Sequence, residues 1–138
     1  MYQIVPYSVW IGSDRDGRAF RELFDLGIRA VVQVAIEEPA ILIPRELLYL
    51  RFPLIDGSGN DADWLRLALH SIKTLIQREI PTLVCCSAGM SRSPALVGAV
   101  LMSQRGMGFE ESVRFVTQNG PADLSGAFLT DLKNLLQS

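Results

Sequence analysis

Short apolar segments of strand length alternate with longer segments of helical periodicity along this chain, and this alternation constrains the fold more than any other feature. Residues 30–36, AVVQVAI, have the apolar character of a buried strand. Residues 62–78 instead carry apolar side chains at helical spacing. The alternation predicts an α/β fold, in which a central, mostly parallel sheet of about four to five strands is flanked by helices.

The same reasoning assigns the remaining elements. Gly27 stands where a C-terminal helix cap is expected, and Asp61 is a suitable N-cap. No repeat or linker interrupts the 138 residues, which suit one domain spanning 1–138. Strands are predicted at 2–11, 30–36, 47–52 and 82–85, and helices at 18–26, 62–78, 93–105, 110–117 and 127–136.

Composition and charge argue against several classes of function. The net charge is −2, so nothing suggests a basic face for nucleic acid or anionic lipid. Apolar runs such as 95–102 are too short to span a bilayer, and residues 1–4 do not begin a signal peptide. We therefore expect a soluble, cytoplasmic monomer that binds neither nucleic acid nor membrane.

The two cysteines of the chain, Cys85 and Cys86, are adjacent. A disulfide between neighbouring residues would close almost no loop, so these two cysteines cannot stabilise the fold by cross-linking it. They also lack the spacing of a zinc site, and no other cluster of metal ligands is visible in the sequence. A reducing compartment is the expected environment, and we expect neither a metal nor a cofactor.

Cys86 stands at the carboxyl end of a predicted strand, and a helix is predicted to begin at Ser93-Pro94. Small residues between them let the backbone curl, so that several N–H groups and the helix N-terminus face one point and form an anion cradle. Arg92 adds a planar guanidinium that can donate hydrogen bonds to two phosphate oxygens. The same anion cradle favours the thiolate form of Cys86 over the thiol. Ser93 is placed to donate its hydroxyl to that thiolate. The predicted phosphate-binding residues of this Cys-x5-Arg loop are Ser87, Ala88, Gly89, Met90, Ser91 and Arg92.

The stretch from Cys86 to Ser93, CSAGMSRS, resembles the signature loop of the cysteine-dependent protein tyrosine phosphatase superfamily, in particular its small dual-specificity branch. Residues 9–13, 26–35 and 128–132 are similar to further segments of that family. The resemblance implies that Cys86 is the nucleophile and forms a phosphocysteine intermediate. It also implies that Arg92 clamps the phosphate and the transition state, and that Ser93 eases breakdown of the intermediate.

Expulsion of an alkoxide or phenoxide requires a proton donor, usually a carboxylic acid on a loop. The family resemblance implies an acid about thirty residues before the nucleophile, which is the position of Asp56 in the turn-rich stretch 53–60. The alternative for Asp56 is a purely structural role in the Asp56-Gly57 turn. Asp61 is the reserve candidate for the acid, although a helix cap also explains it.

Two positions depart from the family pattern. The family usually has His before the nucleophile, where this chain has Cys85, and Arg-Pro before the last helix, where it has Gly120-Pro121. Alternation along the strand predicts that Cys85 points into the core, away from Cys86. A role for Cys85 as a redox partner that protects Cys86 is the alternative.

The sequence thus predicts a phosphomonoester hydrolase that acts on phosphotyrosine, and also on phosphoserine and phosphothreonine, in proteins or on small phosphomonoesters. Phosphate, sulfate or vanadate is expected to occupy the loop. Two alternatives stay open: a phosphate-binding, pseudophosphatase-like module without turnover, and a rhodanese-like sulfurtransferase that would form a persulfide on Cys86.

Overall fold

A five-stranded sheet lies at the centre of the computed structural model, which describes residues 1–137. Its strands lie in the order β1-β2-β5-β3-β4. β1 is antiparallel to β2, and the other neighbours are parallel. The predicted α/β fold with a mostly parallel sheet is confirmed. The strands are β1 Tyr2–Gln3, β2 Val9–Gly12, β3 Ala30–Gln33, β4 Leu48–Arg51 and β5 Thr82–Cys85.

Helices lie between β2 and β3 and between β4 and β5, and three more follow β5 within residues 1–137. Asp61 caps the long helix α3 as predicted, because its side chain accepts from the backbone N–H groups of Asp63 and Trp64 at 2.8 and 3.3 Å. Gly27 and Gly106 follow α2 and α4 with φ of +76° and +63°, the left-handed conformation common at helix ends. The helices are α1 Asp14–Gly17, α2 Phe20–Asp25, α3 Ala62–Gln77, α4 Arg92–Arg105, α5 Phe109–Thr117 and α6 Gly126–Gln137.

Near the N-terminus one sequence prediction was wrong and one element was missed. Residues 2–11 form two short strands rather than one, because Pro6 has no N–H for a ladder and the chain turns back through a bond from Tyr7 N to Ile4 O of 2.8 Å. The helix α1 was not predicted. It forms through a capping box, in which Ser13 N donates to Asp16 Oδ2 at 2.8 Å and Asp16 N donates to Ser13 Oγ at 3.3 Å.

The sheet separates two apolar clusters. The larger cluster includes Val84 and Cys86 together with side chains of α3, α4, α5 and α6. The smaller one includes Leu83 and Cys85 together with Leu23 of α2. Cys85 and Cys86 therefore lie on opposite faces, as strand alternation predicts. Between residues 1 and 137, no helix is long and apolar enough to cross a membrane.

The carboxyl ends of three parallel strands meet at one edge of the sheet. Cys85, at the end of β5, is in register with Gly12 of β2 on one side and Gln33 of β3 on the other. The fully buried Gln33 donates from Nε2 to Asp14 Oδ1 and to Pro39 O, both at 3.0 Å, and the Tyr49 hydroxyl donates to its Oε1. Gln33 thereby holds together the segments that follow β2 and β3 at this edge.

Candidate active site

The loop of residues 86–91 connects β5 to α4 and is packed against the end of β2. Cys86 N donates to Gly12 O at 3.3 Å, and Asp14 N donates to Ser87 O at 3.1 Å. Gly89 has φ +73°, and a Cβ at this position would lie 2.6 Å from the carbonyl carbon of Gly12 and 2.9 Å from Ser13 N. Glycine is therefore required both for the left-handed conformation and for the close approach of the two backbones.

Arg92 is the first residue of α4, and its side chain is only 4% exposed. Nη1 donates to Glu37 Oε1 at 2.7 Å and to Leu54 O at 2.8 Å, and Nη2 donates to Glu37 Oε2 at 2.5 Å. Nη2 also makes a long contact of 3.5 Å with Ser87 Oγ. Nε is buried and has no hydrogen-bond partner in the described part of the chain. One edge of the guanidinium is thus held by Glu37, whereas the edge formed by Nε and Nη2 is nearly free.

Glu37 is a site residue that the sequence analysis did not identify. Hydrogen bonds from Arg92 lower its pKa from 4.5 to about 2, although partial burial acts in the opposite direction. Ser87 Oγ lies 2.7 Å from Glu37 Oε2 and 2.8 Å from Glu38 Oε2. The available signal was the position of Glu37 shortly after the predicted strand that became β3, since ligand sites in α/β folds lie beyond the carboxyl ends of strands. In the structure β3 lies next to β5, which carries the loop.

Asp56 approaches the loop from the segment that follows β4. Ser91 Oγ donates to Asp56 Oδ1 at 2.6 Å and accepts from Ser125 N at 2.9 Å. Because Ser125 occupies the acceptor side of the Ser91 hydroxyl, the hydroxyl proton is directed toward Asp56. Asp61, the reserve candidate, is used as the cap of α3 and does not line the site.

One cavity of about 240 Å³ brings most of the predicted site residues together. Asp123, which the sequence analysis did not select, also lines it, and its backbone N–H donates to Met90 O at 2.8 Å. Gly89 does not line the cavity, because it packs against β2. The lining residues are Glu37, Asp56, Cys86, Ser87, Ala88, Met90, Ser91, Arg92 and Asp123.

A larger cavity, of about 410 Å³, lies between α3 and α4. Its lining is mostly apolar, with side chains such as Leu69 and Val100, and contains neither a thiol nor a carboxylate. If volume were the only criterion, this larger cavity would be chosen as the candidate active site. The combination of a nucleophile, a carboxyl group and a guanidinium selects the smaller one.

Ser93 differs from its predicted arrangement. Its side chain is fully buried in the first turn of α4, and Oγ has no hydrogen-bond partner in the described structure. The predicted bond from Ser93 to the sulfur of Cys86 is therefore not formed here. A buried hydroxyl without a partner is uncommon and leaves one donor available near the start of the helix.

The two thiols have different surroundings. Both are free, so no disulfide joins them. Burial in the smaller apolar cluster raises the pKa of Cys85 far above its usual range, and the negative charge of Asp14 acts in the same direction. Cys86 lines the cavity. Within residues 1–137, no group of three or more His, Cys, Asp and Glu side chains is arranged to hold a metal ion.

Comparison with known proteins adds three findings. Residues 9–135 match the family model described as the dual specificity phosphatase catalytic domain. The chain is 28% identical over 122 residues to human dual specificity phosphatase 28, covering 88% of this chain and 68% of the relative. It is 33% identical over 118 residues to OCA1 of Eremothecium gossypii, which carries the name of a tyrosine-protein phosphatase, covering 73% of this chain but only 51% of that protein. The chain thus spans about half the length of the latter relative.

Solved structures show the same fold. The crystal structure of human DUSP28 superposes with a TM-score of 0.84 at 24% identity, covering 99% of this chain and 96% of that one. A mouse dual specificity phosphatase in complex with zinc tungstate gives a TM-score of 0.84 at 26% identity, covering 99% of this chain and 86% of that one.

Proposed function

The chain belongs to the dual specificity phosphatase family, and on that basis we propose that it hydrolyses phosphomonoesters through a phosphocysteine intermediate on Cys86. The observation that carries the proposal is the single cavity of about 240 Å³ at the carboxyl end of β5, which Cys86, Arg92 and Asp56 line together. Nucleophile, anion clamp and proton donor are the three groups that such a reaction requires.

In the first step the thiolate of Cys86 attacks phosphorus. The S–P bond forms as the bond from phosphorus to the ester oxygen breaks, and the proton of Asp56 passes to the departing oxygen. We assign the backbone N–H groups of residues 87–92 as the donors to the equatorial oxygens of the phosphoryl group. Donors fixed in this way stabilise the charge that develops in the transition state, and the loss of one such donor typically costs about 100-fold to 1,000-fold in kcat.

Arg92 has the donors that a clamp requires. Glu37 and Leu54 occupy both hydrogens of Nη1 and one of Nη2. On the other edge of the guanidinium, Nε–H has no partner within the described residues, and Nη2 makes only the 3.5 Å contact with Ser87 Oγ. These two donors are parallel and match two phosphate oxygens. Glu37 thus orients Arg92 without competing for the edge that would bind phosphate.

In the second step Asp56, now a carboxylate, removes a proton from water. The water oxygen attacks phosphorus, the S–P bond breaks, and phosphate leaves with Cys86 again a thiolate. We assign the buried hydroxyl of Ser93 as the hydrogen-bond donor to the departing sulfur. This role requires the Ser93 side chain to rotate toward Cys86 within the first turn of α4. During both steps the hydrogen bond from Ser91 Oγ to Asp56 Oδ1 holds the Asp56 carboxyl group against the cavity wall.

We propose phosphotyrosine as a substrate, and phosphoserine and phosphothreonine as well, in proteins or small phosphomonoesters. The family name supports this range, and the tungstate complex of the mouse relative supports binding of phosphate, sulfate or vanadate in the loop. We further propose a cytoplasmic monomer, since a nucleophilic thiol has to stay reduced. Light scattering of the purified protein tests the oligomeric state.

The test is hydrolysis of p-nitrophenyl phosphate without added metal, with vanadate as inhibitor. We expect turnover by wild type, none by Cys86→Ser, a strong loss in Asp56→Asn, and retention in Cys85→Ser, which is the matched control for Cys86→Ser. Circular dichroism and urea denaturation of each variant show whether it is folded.

Other outcomes identify the alternatives. Tight vanadate binding without turnover by folded wild type would indicate a phosphate-binding module. Consumption of cyanide in the presence of thiosulfate would indicate a sulfurtransferase, which has no use for Asp56. Loss of turnover in Cys85→Ser with a normal fold would contradict the assignment of Cys86 alone as nucleophile.

A further inference from the structure

We propose that Asp131, on the last helix, is a positioning residue for the general acid. The inference rests on the proposed function, because it assigns to Asp131 the task of holding residues 53–60, here named the acid loop, so that Asp56 faces the leaving oxygen. Asp131 Oδ2 accepts from Gly59 N at 3.0 Å, across 72 positions of sequence.

The acid loop is tied together internally by one side chain. Asn60 Oδ1 accepts from Ile55 N at 2.7 Å, and Asn60 Nδ2 donates to Ile55 O at 2.9 Å and to Gly57 O at 3.3 Å. These bonds join both ends of the stretch that contains Asp56. A contact at Gly59 is therefore transmitted to Asp56, since the loop moves as one unit.

The two ends of the acid loop are anchored to the scaffold. At its start, Leu54 O accepts from Ile36 N at 3.0 Å and from Arg92 Nη1 at 2.8 Å. At its end, Asp61 caps α3. Between these anchors, only two hydrogen bonds in the described structure join residues 55–60 to residues outside the acid loop: Ser91 to Asp56 and Gly59 to Asp131.

Asp131 is suited to this task because its helix cannot shift easily. Phe128 and Leu132, on either side of it in α6, are fully buried in the larger apolar cluster. Gly59 has φ +88°, a conformation that residues with a Cβ rarely adopt. A carboxylate is a strong acceptor for a backbone N–H.

Removal of the Asp131 carboxylate leaves Asp56 held only by Ser91. The fraction of molecules with a correctly placed acid then falls, and the consequence depends on the leaving group. An ester whose alcohol is a weak acid needs the proton from Asp56, whereas an ester with a strongly acidic phenol departs as the anion. A merely structural role for Asp131 would slow all esters alike.

The experiment measures kcat/KM, which covers the step in which the leaving group departs and not the hydrolysis of the shared intermediate, for a series of aryl phosphates from difluoromethylumbelliferyl phosphate through p-nitrophenyl phosphate to phenyl phosphate. We compare wild type, Asp131→Ala, Asp131→Asn and Asn134→Ala, which alters an exposed residue of the same helix. Hydrogen exchange of the peptide that spans 53–60 is measured for each, because it reports on the loop without turnover.

We expect Asp131→Ala to lower kcat/KM about tenfold for phenyl phosphate and less than twofold for the difluoromethylumbelliferyl ester, a partial loss of the roughly 100-fold or more that a general acid contributes. Exchange at 53–60 should rise. Asp131→Asn keeps an oxygen acceptor and should restore most of the phenyl phosphate rate, and Asn134→Ala should match wild type.

A kcat/KM that falls equally for all esters, or loop exchange that stays at the wild-type level in Asp131→Ala, would overturn the positioning role. A wild type that hydrolyses none of the esters would instead refute the proposed function, and with it the catalytic part of this inference. The two failures are therefore distinguishable in one set of measurements.

Discussion

Replacement of Gly89 by alanine should destabilise the protein far more than the same replacement at Gly27, although the two glycines have nearly the same backbone conformation. Their φ values are +73° and +76°. A Cβ at Gly27 would have no atom within 4 Å, whereas a Cβ at Gly89 would lie 2.6 Å from the carbonyl carbon of Gly12 and 2.7 Å from its oxygen. The pair thus separates the conformational cost from the steric cost.

The expected magnitudes follow from these distances. At Gly27 only the left-handed conformation is penalised, by roughly 1–2 kcal/mol, part of which is recovered because alanine restricts the unfolded chain. At Gly89 the loop must also move away from β2, and overpacking of this kind adds roughly 1–3 kcal/mol. Weakening the bonds from Cys86 N to Gly12 O and from Asp14 N to Ser87 O adds about 1 kcal/mol more. We expect a loss of about 1 kcal/mol for Gly27→Ala and about 3–5 kcal/mol for Gly89→Ala.

Urea denaturation followed by tryptophan fluorescence measures both free energies of unfolding, and vanadate inhibition reports the state of the loop. Gly27→Ala should bind vanadate like wild type, and Gly89→Ala should bind it at least tenfold more weakly, a factor that equals about 1.4 kcal/mol. Equal destabilisation by the two variants would refute the steric argument, because it would mean that the loop accommodates a Cβ without moving.

Three further predictions concern single side chains. Glu37→Gln should lower the free energy of unfolding at neutral pH by only about 1–2 kcal/mol, because the Glu37 carboxylate is half exposed. The pKa of Glu37 is lowered to about 2 in the folded state, so this contribution is complete above pH 4.5 and is lost as the pH falls toward 2. The free energies of unfolding of wild type and variant, measured by urea titration, should therefore converge over that pH range. Tyr2→Phe should leave the free energy of unfolding unchanged or raise it by up to about 1 kcal/mol, because the Tyr2 hydroxyl is buried without a partner, and a clear loss in the same titration would contradict this. Asp61→Ala should lower the free energy of unfolding by about 1 kcal/mol through loss of the α3 cap and, because Asp61 also anchors one end of the acid loop, should reduce p-nitrophenyl phosphate hydrolysis only slightly. A loss as large as that of Asp56→Asn in the folded variant would revive Asp61 as the acid.

The features that the sequence predicted best are those contained in one continuous stretch. Strand, loop and helix from Thr82 to Arg105 follow each other without interruption, so the environment of Cys86 and the direction of Arg92 depend mainly on local chain geometry. The alternation of strands and helices likewise predicted the sheet. The cap at Asp61 was recognisable because a turn-rich stretch precedes it and a helical pattern follows it.

The features that were missed depend on which strands are neighbours. β5 inserts between β2 and β3, so that Glu37 reaches Arg92 across 55 positions of sequence. A hydrophobic pattern identifies strands but does not state their order. Gln33 illustrates the same point, since a polar residue inside an apolar strand gave no sign that it would join the segments after β2 and β3. The helix α1 was missed because four residues are too few to show a period.

Because Cys85 and Cys86 point to opposite faces of the sheet, the number of thiols that react with a reagent can also measure the fraction of unfolded molecules. In the native protein one sulfur lines the site cavity and the other is enclosed in the smaller apolar cluster, so a small alkylating reagent should label one thiol per molecule. Unfolding exposes the second thiol, and the number of labels rises from one to two. Trypsin cleavage after Arg78 and Arg92 leaves both cysteines in one peptide. The ratio of its singly to its doubly labelled form would then count folded and unfolded molecules without any introduced probe.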